Sequence, residues 1–355
     1  MKILYAIQGT GNGHISRARA IIPELQKYSE LDVLISGTQA EVTLPYPIKY
    51  RVKGAGFVFG KRGGVDLMET AQILKPVRFR KELMSIPVEE YDLVINDFEP
   101  VSAWAAYLKN VPCVSLSHQA AVLTEGAPLP SKNSWFGKSV LNYYAPTQRQ
   151  YGFHFETYNQ GIFTPVIRPK IRNSIAENKG HYTVYLPSYS DQKIIKYLSK
   201  IKEVRWEVFS KHCNQAFADH NVFVQPITDD AFVKSLTGAE GVLCGAGFEL
   251  PSEALFLKKK LMVIPMQKQF EQQCNAAALG KLGVPVIKKL KKKYLPLIQD
   301  WVNASDRVEV NYPDQTEEVI QQVLSDFIDL KHEMAEVSWS HEPIPVDKNE
   351  LVVIH

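Results

Sequence analysis

The length, composition and charge of the chain exclude several classes of protein. At 355 residues it is long for one compact domain, so two domains are expected. A net charge of +3 with 22% charged residues is too mildly basic for a nucleic-acid-binding surface, and no nucleic-acid partner is predicted. Four cysteines lack the spacing of a zinc site, and no apolar run approaches the ~20 residues of a membrane span. The sequence therefore predicts a cytoplasmic globular protein with reduced thiols.

The first half alternates apolar runs with segments of helical period. The run KILYAI at 2–7 is short and continuous, as in a strand buried on both faces, and residues 14–28 follow with apolar positions at helical spacing. Alternation of this kind predicts an α/β fold, with a parallel sheet covered by helices. Five glycines at 53–64 predict a mobile loop. Further strands are predicted at 31–36, 91–97 and 111–117.

A second alternating series of strands and helices begins near residue 181. We expect an N-terminal Rossmann-like domain at 1–165 and a C-terminal Rossmann-like domain at 172–313. An extended, basic, proline-containing segment joins them. A helix at 314–332 is a candidate for crossing back to the first domain, and the tail at 333–355 shows no clear period.

The first predicted strand runs into GTGNGH, from Gly9 to His14, directly before the first helix. Glycines at such a turn let the backbone approach a ligand closely, and the helix N-terminus favours an anion. Gly11, Asn12 and Gly13 are therefore candidates for a turn that binds phosphate or the acceptor. A dinucleotide site is disfavoured, because the spacing is GxGxG and no acidic residue ends the next strand. A tight turn without a ligand is the alternative.

His14 is the candidate base of this turn. It lies in the first turn of a helix, where the helix dipole disfavours the protonated ring. The strand YDLVIND ends at Asp97, and the carboxyl ends of parallel strands meet at one edge of the sheet. Asp97 is therefore a candidate to orient the imidazole. The alternatives are a structural histidine and an aspartate that caps the helix at Pro100.

The segment 245–279 places small residues and carboxylates where a nucleotide could bind. A strand ends in the small-residue turn at Gly245, and the turn and following helix start can receive a diphosphate. The Glu253 carboxylate can accept hydrogen bonds from two ribose hydroxyls. Glu271 and Gln272 open the next predicted helix, where they suit sugar hydroxyls. The alternative is that the glutamates only complement helix dipoles and that the glutamines are solvated.

The same segment resembles the nucleotide-sugar-binding half of GT-B glycosyltransferases. The shared pattern is a glycine, a Ser-Glu-Ala, a proline twelve residues after the glutamate, and a Glu-Gln-x-x-Asn-Ala; here these are Gly247, Ser252–Ala254, Pro265 and Glu271–Ala276. The turn before His14 is similar to the GTGGH-like turn of the peptidoglycan N-acetylglucosaminyltransferase group, with one added Asn. The resemblance implies two Rossmann-like domains that face each other across a cleft.

The resemblance also implies roles for individual residues. The turn at 245–248 would hold the diphosphate, and Glu253 would bind the ribose. Glu271 and Gln272 would contact the donor sugar, and residues 226–232 would bind the nucleotide base. His14 would deprotonate the acceptor hydroxyl. The chain departs from many family members because it lacks a histidine at position 245 and a Ser or Thr at position 250. The implied donor-binding residues are Ser188, Gly245, Gly247, Phe248, Glu253, Glu271 and Gln272, and the implied catalytic pair is His14 and Asp97.

The resemblance implies a glycosyltransferase that moves a sugar from a nucleotide-sugar donor, implied to be a UDP-sugar, to a hydroxyl acceptor. No DxD-like metal motif is apparent, so a metal-independent displacement with no cofactor is expected. Inversion is the expected outcome, and retention is left open as the alternative. A sugar-nucleotide epimerase or hydrolase on the same fold is one alternative. A non-catalytic nucleotide-sugar-binding protein is the other.

The acceptor is left open as a glycan, a lipid-linked molecule or a small molecule. The basic run at 288–293 has two interpretations: peripheral contact with the inner face of the membrane, or a solvated lysine-rich turn. Candidate acceptor contacts are the loop 53–64, Ser117, His118, Gln119, Arg17 and Arg19.

Overall fold

The computed structural model describes residues 1–37, 44–54, 59–60, 64–65, 76–131, 134–267 and 269–337. In these residues the chain forms two mainly parallel β-sheets covered by helices, and the predicted α/β class is confirmed. No helix of the described ranges is long and apolar enough to cross a membrane. All four cysteines are buried and form no disulfide.

The first sheet contains seven parallel strands. With strands numbered in chain order, they are β1 (Lys2–Gln8), β2 (Glu30–Ser36), β3 (Tyr50–Val52), β6 (Leu93–Asp97), β7 (Cys113–Ser117), β8 (Arg149–Phe153) and β9 (Ile162–Phe163). Their order in the sheet is β3-β2-β1-β6-β7-β8-β9. The central strand β1 is fully buried from Ile3 to Ile7, as its continuous apolar run requires.

The second sheet contains six strands. They are β10 (His181–Tyr185), β11 (Arg205–Ser210), β12 (Phe217–Asp219), β13 (Val222–Pro226), β14 (Gly241–Cys244) and β15 (Lys260–Val263). Their order is β12-β13-β11-β10-β14-β15, and only the edge strand β12 pairs antiparallel. Strand β14 ends directly before Gly245, so the predicted donor turn lies at the carboxyl edge of this sheet.

Helices follow most strands of both sheets. In the described residues they are α1 (Asn12–Gln26), α2 (Pro76–Ser85), α3 (Pro100–Leu108), α4 (His118–Val122), α5 (Trp135–Tyr143), α6 (Pro169–Arg172), α7 (Asp191–Leu198), α8 (Asp229–Gly238), α9 (Glu249–Phe256), α10 (Phe270–Lys281), α11 (Leu295–Asn303) and α12 (Thr316–Val337). Helix α1 starts two residues before the predicted start, after Gly11 in extended conformation. Its apolar positions at helical spacing are buried.

Three segments differ from the sequence predictions or lie outside the described residues. Helix α12 continues to Val337, five residues beyond its predicted end at 332. Within the predicted loop 53–64, β4 (Phe59–Gly60) pairs antiparallel with β5 (Gly64–Val65), which corrects the loop prediction for those residues. Positions 55–58, 61–63 and the tail from 338 onward lie outside the described residues.

The register of β1 against β6 positions the glycine turn. Ile7 pairs with Asp97, so the last residue of β6 lies beside the end of β1. The chain then turns at Gly9, whose backbone N donates a hydrogen bond of 2.6 Å to the Ser36 carbonyl. A Cβ at Gly9 would lie 2.7 Å from that carbonyl oxygen, closer than real Cβ contacts allow. This close approach requires glycine and directs α1 across the end of β6.

Helix α12 packs against α1 although nearly 300 residues separate them in sequence. Tyr28 donates a hydrogen bond of 2.7 Å to Glu317, and Tyr151 of β8 donates one of 2.7 Å to Asp326. Five apolar residues of α12 join the core that contains the buried face of α1: Val319, Ile320, Val323, Phe327 and Leu330. Helix α12 therefore packs against and stabilises helix α1, which follows the glycine turn.

Candidate active site

His14 and Asp97 meet at the edge of the first sheet. His14 Nδ1 lies 2.8 Å from Asp97 Oδ1, and Asp97 is fully buried while the His14 side chain keeps 14% of its exposure. The capping role goes to Glu99, which accepts bonds from the backbone N of Val101 and Ser102 at the start of α3. Asp97 is therefore not the helix cap that was the alternative interpretation. Its carboxylate is directed at the imidazole instead.

Phe98, which has a strained backbone, separates Asp97 from Glu99. Phe98 has a φ of 56°, in the left-handed region that few non-glycine residues adopt. This turn lets Asp97 face His14 while Glu99 faces the opposite direction, toward α3. Backbone strain at such a position is typical of functional sites.

Arg17 is the third member of this group, and the sequence analysis missed its position. It was a candidate to hold an acidic acceptor, but its side chain is buried, with Nη2 2.6 Å from Asp97 Oδ1 and 3.2 Å from His14 Nδ1. Nη1 donates to Glu249 of α9, from the other half of the chain. The signal in the sequence was the spacing of three residues from His14, which places both side chains on one face of α1.

The charges of this group perturb its pKa values in opposite directions. Burial lowers the pKa of His14, but the Asp97 charge and hydrogen bond raise it, and the net direction is upward. Burial raises the pKa of Asp97, yet the charges of Arg17 and His14 lower it overall, so the carboxylate stays ionised. The helix terminus was expected to keep His14 neutral, but the adjacent carboxylate favours the imidazolium.

Glu249 is a second residue that the sequence analysis missed. It is the first residue of α9, and its carboxylate reaches across the cleft to Arg17. A Cβ at Gly13 would lie 2.9 Å from Glu249 Cδ and closer still to one carboxylate oxygen. The carboxylate thus lies between the N-terminal ends of α1 and α9, against the predicted phosphate turn.

Glu253, the predicted ribose ligand, is buried in an ion pair. Arg168 donates from Nε to Glu253 Oε1 at 2.5 Å and from Nη2 to Oε2 at 2.8 Å, and its Nη1 donates to Asp229 at 3.1 Å. The side chain of Glu253 is only 4% exposed. Both carboxylate oxygens therefore already accept hydrogen bonds from a segment that the sequence analysis treated as a linker.

Asp229 at the start of α8 collects further cations. Arg19 of α1 donates to it at 3.1 Å, and Lys170 of α6 donates at 3.1 Å as well as to Asp230 at 2.6 Å. Arg19 thus pairs with the second half of the chain. Together with the Arg17 contact to α9, two arginines of α1 bridge the cleft. In the described ranges no group of three or more His, Cys, Asp or Glu residues is arranged to hold a metal ion, and metal independence remains a prediction.

Glu271 and Gln272 lie where α10 faces the first half. Glu271 Oε2 accepts a hydrogen bond of 3.1 Å from Gln119, and burial raises the pKa of the Glu271 carboxyl. Gln272 Oε1 accepts 2.9 Å from the backbone N of Met266, and its side chain lies next to Gly245. The structure therefore brings Gln272 to the donor turn, whereas Glu271 contacts Gln119 of the first half.

The predicted donor turn and Ser188 lie at adjacent strand ends of the second sheet. Gly245 donates a backbone hydrogen bond of 3.2 Å to Tyr185, the last residue of β10, and Ser188 lies in the loop after β10. A Cβ at Gly247 would meet nothing within 4 Å, so this part of the turn is open. An open turn of this kind leaves room for a diphosphate beside the start of α9.

Phe248 and His118 lie in contact with each other where the two halves meet. Their rings stack with centroids 3.9 Å apart and planes 4° apart. His118 is also held 2.8 Å from the Phe153 carbonyl and 2.8 Å from Asn275 Oδ1, and burial lowers its pKa well below the ordinary value. Ser117 caps α4. The predicted acceptor contacts at 117–119 are thus mostly interface residues.

A second interface contact lies beside this joint. The ring of Phe270, the first residue of α10, packs directly on Gly137 of α5, where an added Cβ would lie 2.5 Å from the Phe270 Cβ. The predicted sites in the two halves therefore face each other across a cleft with packed walls.

Comparison with known proteins identifies the family of this chain and the fold that it shares with solved structures. The family model described as glycosyl transferase family 1 matches residues 1–304. MurG of Acinetobacter baumannii aligns with a TM-score of 0.57 at 15% identity, over 92% of this chain and 100% of that chain. The glycotransferase of kitacinnamycin aligns at 0.55 and 13%, over 92% and 95% of the two chains. UGT89C1 of Arabidopsis thaliana, solved with UDP, aligns at 0.52 and 11%, over 94% and 98%.

No protein with a curated description matches the sequence. The structural neighbours share its two-sheet architecture, which confirms the expected GT-B fold with two Rossmann-like units facing each other across a cleft. The family match covers most of the chain and confirms the expected enzyme class. The chain therefore belongs to glycosyl transferase family 1 and is a GT-B glycosyltransferase that transfers a sugar from a nucleotide-sugar donor.

Proposed function

We propose that this enzyme transfers a sugar from a UDP-sugar to an acceptor hydroxyl with inversion, without a metal ion, and with His14 as the base. The observation that carries the proposal is the hydrogen bond of 2.8 Å between His14 Nδ1 and a buried, ionised Asp97 at the cleft. Since Nδ1 faces the carboxylate, Nε2 is the ring nitrogen left for the acceptor. UDP in the Arabidopsis neighbour supports UDP as the nucleotide.

The reaction follows from this geometry. The acceptor oxygen attacks the anomeric carbon, its proton moves to His14 Nε2, and the bond from that carbon to the diphosphate oxygen breaks. Asp97 stabilises the imidazolium that forms. The backbone amides at 246–248 and the N-terminus of α9 are proposed to stabilise the leaving diphosphate, whose negative charge increases as the bond breaks.

The donor side requires one rearrangement. Glu253 can accept the ribose hydroxyls only when its bonds to Arg168 are loosened or shared, because both oxygens are occupied. A carboxylate has about four lone-pair positions, so sharing is chemically reasonable. Glu271 and Gln272 are proposed to contact the donor sugar.

The first test is a thermal-shift screen of UDP-, GDP-, ADP- and TDP-sugars with the wild type and Glu253→Gln. We expect stabilisation by the UDP-sugar class that is reduced in the variant. Stabilisation by another nucleotide class alone would replace UDP as the donor. No stabilisation by any class would contradict the proposed donor site.

The second test measures turnover with candidate acceptors. His14→Ala should lower kcat by about 10²–10⁴-fold, because a positioned base is worth that much, while leaving the donor-induced thermal shift in place. Release of free sugar or a changed nucleotide sugar without an acceptor would favour the hydrolase or epimerase alternative. A divalent-ion requirement would contradict the metal-free step.

Peripheral contact with the inner face of the membrane is a further proposal. The lysines at 291–293 are exposed around the buried Leu290, which suits either anionic lipid or solvent. Sedimentation with anionic vesicles, compared with neutral vesicles, distinguishes the two.

A further inference from the structure

Glu249 is a charged cleft residue that the proposed reaction does not use. It begins α9, next to the turn proposed to hold the donor diphosphate, and its side chain is 23% exposed. Its carboxylate contacts Arg17 and lies against Gly13 of the glycine turn. A negative group of the protein therefore occupies the space between two helix N-termini, the arrangement that favours a bound phosphate.

Two negative groups cannot share this space without a large repulsion. A carboxylate and a diphosphate oxygen about 4 Å apart would repel by about 4 kcal/mol at an effective dielectric constant near 20. Glu249 has a flexible, partly exposed side chain, so it can swing toward solvent. Binding of the donor then requires Glu249 to leave this position.

Departure of Glu249 would free part of Arg17. Nη1 of Arg17 donates to Glu249, Nη2 remains 2.6 Å from Asp97, and the buried Nε finds no hydrogen-bond partner among the described residues. Guanidinium groups bind phosphate oxygens well because their donors are planar and permanently charged. The path by which Glu249 reaches the buried Arg17 is open to a phosphate oxygen once the carboxylate has moved.

The donor turn of the second half lacks two side chains that could bind the diphosphate. Positions 245 and 250 are glycine and leucine, so neither provides a side-chain donor. Arg168, the cation beside the proposed ribose-binding residue Glu253, already donates its hydrogen bonds to Glu253 and Asp229. A cation from the first half can fill this role because α1 faces α9 across the cleft.

We propose that Glu249 occupies the diphosphate position in the unliganded enzyme, and that donor binding transfers Arg17 Nη1 from the Glu249 carboxylate to a diphosphate oxygen. The inference rests on the proposed donor site. Glu249 is then an internal competitor that weakens binding of any nucleoside diphosphate, and Arg17 is a donor-binding residue supplied by the first half. Because Arg17 also holds Asp97, it connects the donor to the base.

The experiment is calorimetric titration of UDP and of uridine, which has no phosphate, into wild type, Glu249→Gln, Glu249→Ala and Arg17→Lys. Both Glu249 variants should bind UDP about tenfold more tightly, because the binding-competent population is no longer reduced by the competitor. Arg17→Lys should bind UDP about tenfold more weakly, since a single ammonium lacks the two separate N–H groups that hold Asp97 and the diphosphate oxygen at once. Uridine affinity should stay the same in all four proteins.

Glu318→Gln is the matched control, because it makes the same chemical change at an exposed glutamate of α12. Unchanged or weaker UDP binding in both Glu249 variants would overturn the inference, as would an equal gain for uridine. If Arg17→Lys fails to fold, the Glu249 variants decide. If no protein, variants included, binds either UDP or uridine, the proposed donor site itself is wrong and the inference falls with it.

Discussion

Replacement of Asp97 by asparagine tests the proposed base most directly. The variant keeps the shape of the side chain but removes the charge that raises the pKa of His14. Burial, the largest cause, and the Arg17 charge remain and lower that pKa, and only the smaller effect of the Glu249 charge still raises it. The histidine should therefore titrate below its ordinary value of 6.5 instead of above it.

The direction of the activity change follows from the role of the base. His14 accepts a proton only when neutral, so the wild-type rate should rise with pH through a midpoint above 6.5. In Asp97→Asn the midpoint should move to lower pH, while the plateau falls because the imidazolium loses its stabilising charge. A hydrogen bond to a charged group is worth about 1.5–3 kcal/mol, which corresponds to roughly a 10- to 150-fold loss in kcat/KM.

The assay is the pH profile of kcat/KM with a saturating acceptor, measured below the melting temperature of each protein. Asp97 forms a buried ion pair with Arg17, and loss of one partner from such a pair costs about 3–5 kcal/mol. The variant should therefore also have a lower melting temperature. Glu99→Gln is the matched control, because this buried carboxylate two residues away faces α3. It should lower stability through the weakened cap but leave the midpoint unchanged.

A pH profile of Asp97→Asn with the wild-type midpoint would refute the reasoning. In that case the group that titrates is not His14, or Asp97 does not act on it. An equal shift in Glu99→Gln would indicate a general effect of lost negative charge.

Three further predictions concern the contacts between the halves. Gly13→Ala should displace the Glu249 carboxylate, weaken its ion pair with Arg17 and lower the melting temperature. Gly11→Ala, where an added Cβ meets nothing within 4 Å, should melt like the wild type. Equal melting temperatures of the two variants would contradict this prediction. Gly137→Ala should lower the stability by about 1–3 kcal/mol in denaturant unfolding, because the new methyl group overlaps an aromatic ring. Glu253→Gln should cost about 3–5 kcal/mol, because it leaves a buried guanidinium with one acidic partner, and an unchanged unfolding midpoint would show that this ion pair is not stabilising.

The pairing of His14 with Asp97 could be anticipated from sequence for a physical reason. Both residues follow parallel strands, and the carboxyl ends of such strands meet at one edge. The structure adds that β1 and β6 are neighbours in register, with Ile7 beside Asp97. Strand order is what sequence could not supply, because apolar periodicity carries no information about which strands are adjacent.

The partners of Glu253 and Arg17 could not be anticipated in this way. Their contacts depend on how the two halves meet, and no local pattern in a sequence encodes that arrangement. Arg168 belongs to the basic segment that was expected to join the domains, and its guanidinium is bound by carboxylates from two helices. Phe248 looked like part of a ligand turn, yet its ring stacks on His118.

The position of helix α12 has a consequence for synthesis of the chain. The first sheet and its glycine turn emerge from the ribosome early, but the apolar side chains that cover α1 from behind, such as Ile320 and Phe327, emerge only after the whole second sheet. Nascent domains usually complete their folding in order from the N-terminus. In this chain the half that carries His14 is expected to finish last, so a released chain truncated before residue 316 should contain a folded second half beside an incompletely packed first half.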